Sequence, residues 1–201
     1  EEVAINKRLF LIVAVTVAPS FLLSILWLRL PVYLRYTADI SGILQLLVLF
    51  YFIKLIPAIK KFIPHAFTKT TRTLWILATV AFIIKVILQM LSIIPYLSHF
   101  AFAFRPIVIG YLHLSFLCII SFFIIGYINE YLCTRQRHVS VLGAVLFIIG
   151  VLAQEIILMA QGLEVFQMEP LPMANILLFY CAILIAIGII RITAKMNATK
   201  T

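Results

Sequence analysis

Few side chains in this sequence could do chemistry, and their spacing sorts them into groups. Lys85, Gln89 and Ser92 stand at i, i+4 and i+7, which puts all three on one face of a helix. His113 follows Arg105 by eight positions, so a helix carries it roughly 12 Å deeper. Gln154 and Glu155 are adjacent, and Asp39 precedes Gln45 by about one and a half helical turns. In apolar surroundings these types offer three chemistries. A neutral imidazole can ligate haem iron if a neighbour orients it. His and Glu can carry protons, and Lys, Gln, His and Glu together can line a path for an ion or small solute. Each residue also has a plainer use. Lys85 and Glu155 can pair with each other, Glu155 can sit close enough to an interface to be hydrated, and His113 can be a hydrogen-bonded packing residue. Gln45 and Gln89 suit helix-to-helix hydrogen bonding better than ligand binding. His65 and His138 read as solvated residues of inner loops, and His99 as a surface residue of an outer connection.

Familiar soluble-enzyme motifs are missing. The chain has no Gly-rich phosphate loop, no H-E-x-x-H, no G-x-S-x-G, no C-x-x-C-H and no Cys/His set at metal-ligand spacing. Chemistry here must come from side chains that helices place at depth.

Those helices are dictated by composition. Of 201 residues, 65% are hydrophobic and 11% charged, against about 45–50% and about 25% in soluble domains. A soluble fold of this size cannot hide that much apolar surface, whereas a bilayer can. A spanning helix needs about 20 apolar residues, and backbone groups in hydrocarbon must bond within their own segment. The long apolar runs lack strand-like alternation. They predict an all-α, polytopic transmembrane bundle of six helices, forming a single domain over residues 1–201. The spans fall near 9–28, 38–57, 73–94, 105–128, 139–160 and 174–192. Pro19 lies inside the first and should kink it. Pro57, Pro64, Pro95, Pro106, Pro170 and Pro172 fall near span ends. The first run follows Lys7 and Arg8 but is long, with no small-x-small cleavage site after it, so it reads as a span rather than a signal peptide. The opening Glu1–Glu2 leaves a longer parent chain open.

Charge sets the expected orientation. Lys7, Arg8, Lys54, Lys60, Lys61, Lys69, Arg72, Arg135, Arg137, Arg191, Lys195 and Lys200 would share one side, against Arg29, Arg35 and Arg105 on the other. That asymmetry puts both termini in the cytoplasm. The net charge of +9 is therefore an orientation signal, and nucleic acid is not the expected partner. Tyr33, Tyr36, Tyr96, Tyr127, Tyr131 and Trp27 suit interfacial anchoring. Cys118 and Cys181 fall inside spans and Cys133 in a basic inner loop, so no structural disulfide is expected.

Two stretches carry a family resemblance. The first is Pro19-Ser20-Phe21-Leu22-Leu23-Ser24-Ile25-Leu26-Trp27 with Gly42-Ile43-Leu44-Gln45-Leu46-Leu47. The second runs from Lys85-Val86-Ile87-Leu88-Gln89 to Arg105-Pro106-Ile107-Val108-Ile109-Gly110-Tyr111-Leu112-His113-Leu114. Together they resemble the C-terminal half of bacterial membrane proteins of about twice this length, which look like distant, functionally unassigned relatives of heme-copper oxidase subunit I. The resemblance implies that these spans match the last six of twelve helices. His113 then matches the ligand of the low-spin haem, and Tyr111 stands where the high-spin haem ligand would be. The first span holds no histidine to match the copper pair, so a binuclear oxygen-reducing centre is not implied. What remains is a single haem b with His113 as axial ligand. The second ligand would come from an N-terminal half or a partner membrane subunit. On this reading Gly110 allows close approach of the macrocycle, Phe116, Phe122 and Phe123 wall the pocket, and Arg105 or Lys85 pairs with the propionates.

The expectation is thus a membrane subunit, haem-binding or redox-related, and not an enzyme by itself. Two alternatives stand beside it. One is a transporter of small solutes or ions using Lys85, Gln89, His113 and Glu155. The other is a scaffold in which Gln45, Gln154 and the rest only set helix packing.

Overall fold

The computed structural model describes residues 15, 31–94, 96–97, 104–134, 138–167 and 173–198. Residues 35, 38, 55–66, 164–167 and 197–198 are described by backbone alone. Among the described residues all regular structure is helical. The elements are α1 (Val32–Ala66), α2 (Lys69–Leu91), α3 (Arg105–His113), a π-helical segment (Leu114–Ser121), α4 (Phe122–Cys133), α5 (Val141–Gln167) and α6 (Ala174–Ala198). Arg105–Cys133 is one continuous rod of three windings. Five helices are long and apolar enough to cross a membrane: Val32–Lys54, Lys69–Leu91, Arg105–Cys133, Val141–Leu163 and Ala174–Met196. The protein is a multi-pass membrane protein. The expected first span at 9–28, with Pro19, lies outside the described residues.

Several boundaries differ from expectation. The basic stretch expected as an inner loop near 58–72 is mostly helix, because α1 runs to Ala66 and only two residues separate it from α2. The helix also passes through Pro57 and Pro64. Each proline removes one backbone donor, and the surrounding turns carry the helix across. Cys133 closes α4 instead of lying in a loop. Ser92 falls just beyond α2, where its hydroxyl donates to the Gln89 carbonyl at 2.7 Å. It therefore caps that helix end, and the three-residue face reduces to Lys85 and Gln89. The last two spans are longer than hydropathy alone marked: α5 continues to Gln167 and α6 to Ala198.

The chain divides into two compact units, residues 1–62 with 83–103, and residues 63–82 with 104–201. In the second unit, α5 packs most extensively on α6 and next on α3. Lipid tails are as apolar as leucine, so association between spans relies on close packing and small residues. A Cβ on Gly188 would stand 2.7 Å from the Phe147 amide nitrogen and 2.9 Å from the Gly143 carbonyl. One on Gly150 would stand 2.8 Å from Ile185 Cγ1 and 3.2 Å from the Cys181 carbonyl. Glycine is thus what lets α5 and α6 touch backbone to backbone, antiparallel. Phe122 meets Phe147 edge to face at 5.8 Å, and both are buried, as are Val151 and Leu74.

A polar knot ties the start of α2, the end of α4 and the entry to α5. The Asn129 amide donates to Thr68 Oγ1 at 2.8 Å and Thr71 Oγ1 at 2.9 Å. Its Oδ1 accepts from the Val139 amide at 3.0 Å. Thr71 Oγ1 donates on to the Gly126 carbonyl, and Glu130 Oε2 accepts from the Thr68 amide. Buried polar groups cost least when each finds a partner, and Asn129 at 2% exposure has its amide fully engaged. The sequence signal for this node was a lone Asn at a span end.

Candidate functional site

Polar groups expected at depth separate into two sets, one in each unit. In the first unit, Lys85 Nζ donates to Gln89 Oε1 at 3.3 Å, one turn along α2, and Gln89 is buried. Gln45 Oε1 and Asp39 Oδ1 are buried on α1 with no hydrogen-bond partner among the described residues. In the second unit stand His113, Gln154 and Glu155. Lys85 and Glu155 belong to different units.

The α3–α5 contact sets the geometry around Glu155. The two helices run antiparallel: a side chain at Gly162 would strike Ile107, and one at Gly110 would meet Leu158 and Met159. At the same spot Glu155 Oε2 comes within 3.8 Å of where a Gly110 Cβ would lie. The contact therefore holds the carboxyl level with the turn of α3 that bears His113. Hydropathy puts the fifth span near 139–160, with Glu155 five positions from its end. Because the span reaches Leu163, the residue lies eight positions, about 12 Å, inside that end. Glu155 is 9% exposed, and neither carboxyl oxygen has a hydrogen-bond partner among the described residues. The buried Cys118 thiol lies within its electrostatic reach.

His113 is half-buried. Its Nδ1 lies 2.8 Å from the Ile109 carbonyl. A carbonyl can only accept, so Nδ1 carries the proton and Nε2 of the neutral ring keeps its lone pair. Immediately after His113 the helix widens into the π segment. Ser121 Oγ donates to the Phe116 carbonyl at 2.9 Å, and Ser115 Oγ to the Tyr111 carbonyl at 3.0 Å. Serine hydroxyls thus attend one carbonyl in the turn before the altered winding and one within it. Such widened turns occur frequently at functional sites, and no residue pattern in the sequence announced this one.

No protein-family model matches the chain, and no curated protein or solved structure is similar to it.

The room expected at Gly110 for a haem macrocycle is occupied by α5, through Glu155, Leu158 and Met159. The aromatic wall is also dispersed. Phe122 turns onto Phe147, Phe123 stacks on Trp75 at 5.8 Å, and Phe116 is exposed. Arg105 begins α3 exposed. Among the described residues no three of His, Cys, Asp and Glu gather as a metal-binding group. Gln154 is half-buried beside Glu155.

Proposed function

We propose that the protein is an ion-coupled membrane transporter, or the ion-handling subunit of one, with Glu155 as the group that takes the ion. The observation behind this reading is a buried carboxyl with two oxygens that no described residue satisfies, in a predominantly apolar helix. A bare carboxylate withdrawn from water costs several kcal/mol, by order of magnitude, unless something compensates it. Groups kept at that cost inside a bilayer characteristically mark ion pathways and proton relays. The bonded Lys85–Gln89 pair supplies a second polar position within a span. Six spans read from the apolar runs, both termini in the cytoplasm on the strength of the Lys/Arg asymmetry, and the bacterial inner membrane that the family resemblance implies complete the reading. The test is flux into vesicles holding the purified chain, followed with ion-sensitive dyes. Flux lost in Glu155→Gln with helicity retained supports transport. A wild-type protein without flux points to a scaffold.

A second reading keeps His113 as an axial ligand of haem b. One observation favours it: the Ile109 carbonyl holds the imidazole in the tautomer that leaves Nε2 ready to ligate. The other axial ligand would come from a partner subunit or an N-terminal half. A reduced-minus-oxidised spectrum decides. Soret and α bands lost in His113→Ala would establish the site, and no bands in protein expressed with haem supplied would remove it.

A further inference from the structure

We propose that the ion taken by Glu155 is a proton, carried on the carboxyl itself, rather than a metal cation. This rests on the reading of Glu155 as the ion-taking group, and the surroundings of the carboxyl choose between the two occupants. From α3 it meets Gly110, which contributes no side chain. Around that glycine its own helix supplies the Leu158 side chain and the Met159 methyl. From the π segment the titratable group within reach is the Cys118 thiol. On α6 the nearest cysteine along the α5 contact is Cys181, whose carbonyl lies at Gly150, more than a turn away from Glu155. The neighbours so identified from the packed elements are methyls, a thioether and the Cys118 thiol. Along the chain the adjacent polar groups are Gln154 on α5 and Tyr111 and His113 on α3, which bring one amide oxygen and no carboxylate.

Hard cations demand more. Calcium takes roughly 6–8 oxygen ligands and magnesium a near-octahedral shell at about 2.0–2.1 Å. Carbonyls inside spanning helices are already engaged within the segment. A proton needs one oxygen lone pair, and it converts the costly anion into a neutral acid. The step is a plain transfer: hydronium gives its proton to a Glu155 oxygen and leaves water, and release reverses it. No electron moves and no co-reactant is needed.

The same chemistry supplies a probe. A protonated carboxyl in an apolar site adds to a hydrophobic carbodiimide. The O–H proton passes to one carbodiimide nitrogen as the carboxyl oxygen bonds the central carbon. Acyl migration to nitrogen then leaves a stable N-acylurea with nothing expelled. The experiment treats the full chain in phospholipid vesicles with N,N′-dicyclohexylcarbodiimide and maps the adduct by peptide mass, beside dye-monitored flux. The expected result is one carbodiimide on Glu155, none at that position in Glu155→Gln, and a labelling rate indifferent to sodium, potassium or calcium. A resident metal ion would compete instead. At about a hundredfold over its binding constant it would suppress labelling by about two orders of magnitude, and that suppression overturns the proton assignment. Flux without labelling at Glu155 also overturns it while leaving transport standing. Labelling without flux supports the proton and removes the transport reading.

Discussion

The indole of Trp75 occupies the space where a side chain at Gly126 would begin. Its Nε1 and Cδ1 lie 2.5 and 2.7 Å from the position of a Cβ there. The ring donates to the Phe123 carbonyl at 3.3 Å, stacks on Phe123 and meets Phe67 edge-on at 4.8 Å. An α2 residue is thereby seated in a notch on α4 at a depth where one hydrogen bond and one aromatic stack hold it. Gly126→Ala should push the indole out and destabilise the fold by about 1–3 kcal/mol. Thermal unfolding in detergent measures it, and Trp75 fluorescence should shift with it. An unchanged melting temperature would show that the notch closes elsewhere.

Asn129→Leu removes both donations to Thr68 and Thr71 and strands the Val139 amide. The loss should be at least about 2 kcal/mol, since a buried group left unsatisfied costs more than the bond was worth. Asn129→Asp keeps the acceptor for Val139 and should cost less in neutral detergent solution only if the thronged hydroxyls turn to donate. Denaturant titration of the three proteins orders them, and equal stabilities would dismiss the knot as a support.

Gly188 and Gly110 should answer differently to alanine. At Gly188 the new methyl meets backbone atoms of α5 at 2.7–3.0 Å, and backbone cannot swing aside. We expect α5 and α6 to separate, with a loss of about 1–3 kcal/mol. At Gly110 the nearest atom is the end of Met159 at 3.3 Å, and methionine adapts readily. Gly110→Ala should cost under about 1 kcal/mol while crowding Glu155, so flux should fall more than stability does. The reverse ranking would contradict the α3–α5 geometry.

Thiol reactivity should follow burial. Cys118 and Cys181, at 2% and 6% exposure, should resist maleimide in folded protein, whereas the half-buried Cys133 at the end of α4 should react. Intact-mass counting gives the number of labels. In cells, a cysteine introduced between residues 168 and 172 should take an impermeant maleimide from outside. Labelling only after permeabilisation would reverse the orientation.

Residence in a bilayer was legible from the sequence because hydropathy is a property of each residue in its own window. Five of the spans fall on the helices near where the apolar runs put them, with ends displaced by a few residues. Pro57 and Pro64 could not reveal that α1 continues past them, since proline forbids one donor and not the helix. Lys85 and Gln89 were legible as neighbours because i and i+4 share a helix face. Which faces meet between helices is not written in any window. The approach of Glu155 to Gly110, the burial of both its oxygens, and the convergence of Thr68, Thr71, Asn129 and Val139 from distant stretches of the chain are decided by packing. The widened winding after His113 is likewise a property of the folded rod. Composition placed these residues in the membrane. Only the tertiary structure decided which of them lost water without gaining a partner among the described residues, because that depends on what the neighbouring helix brings to the same depth.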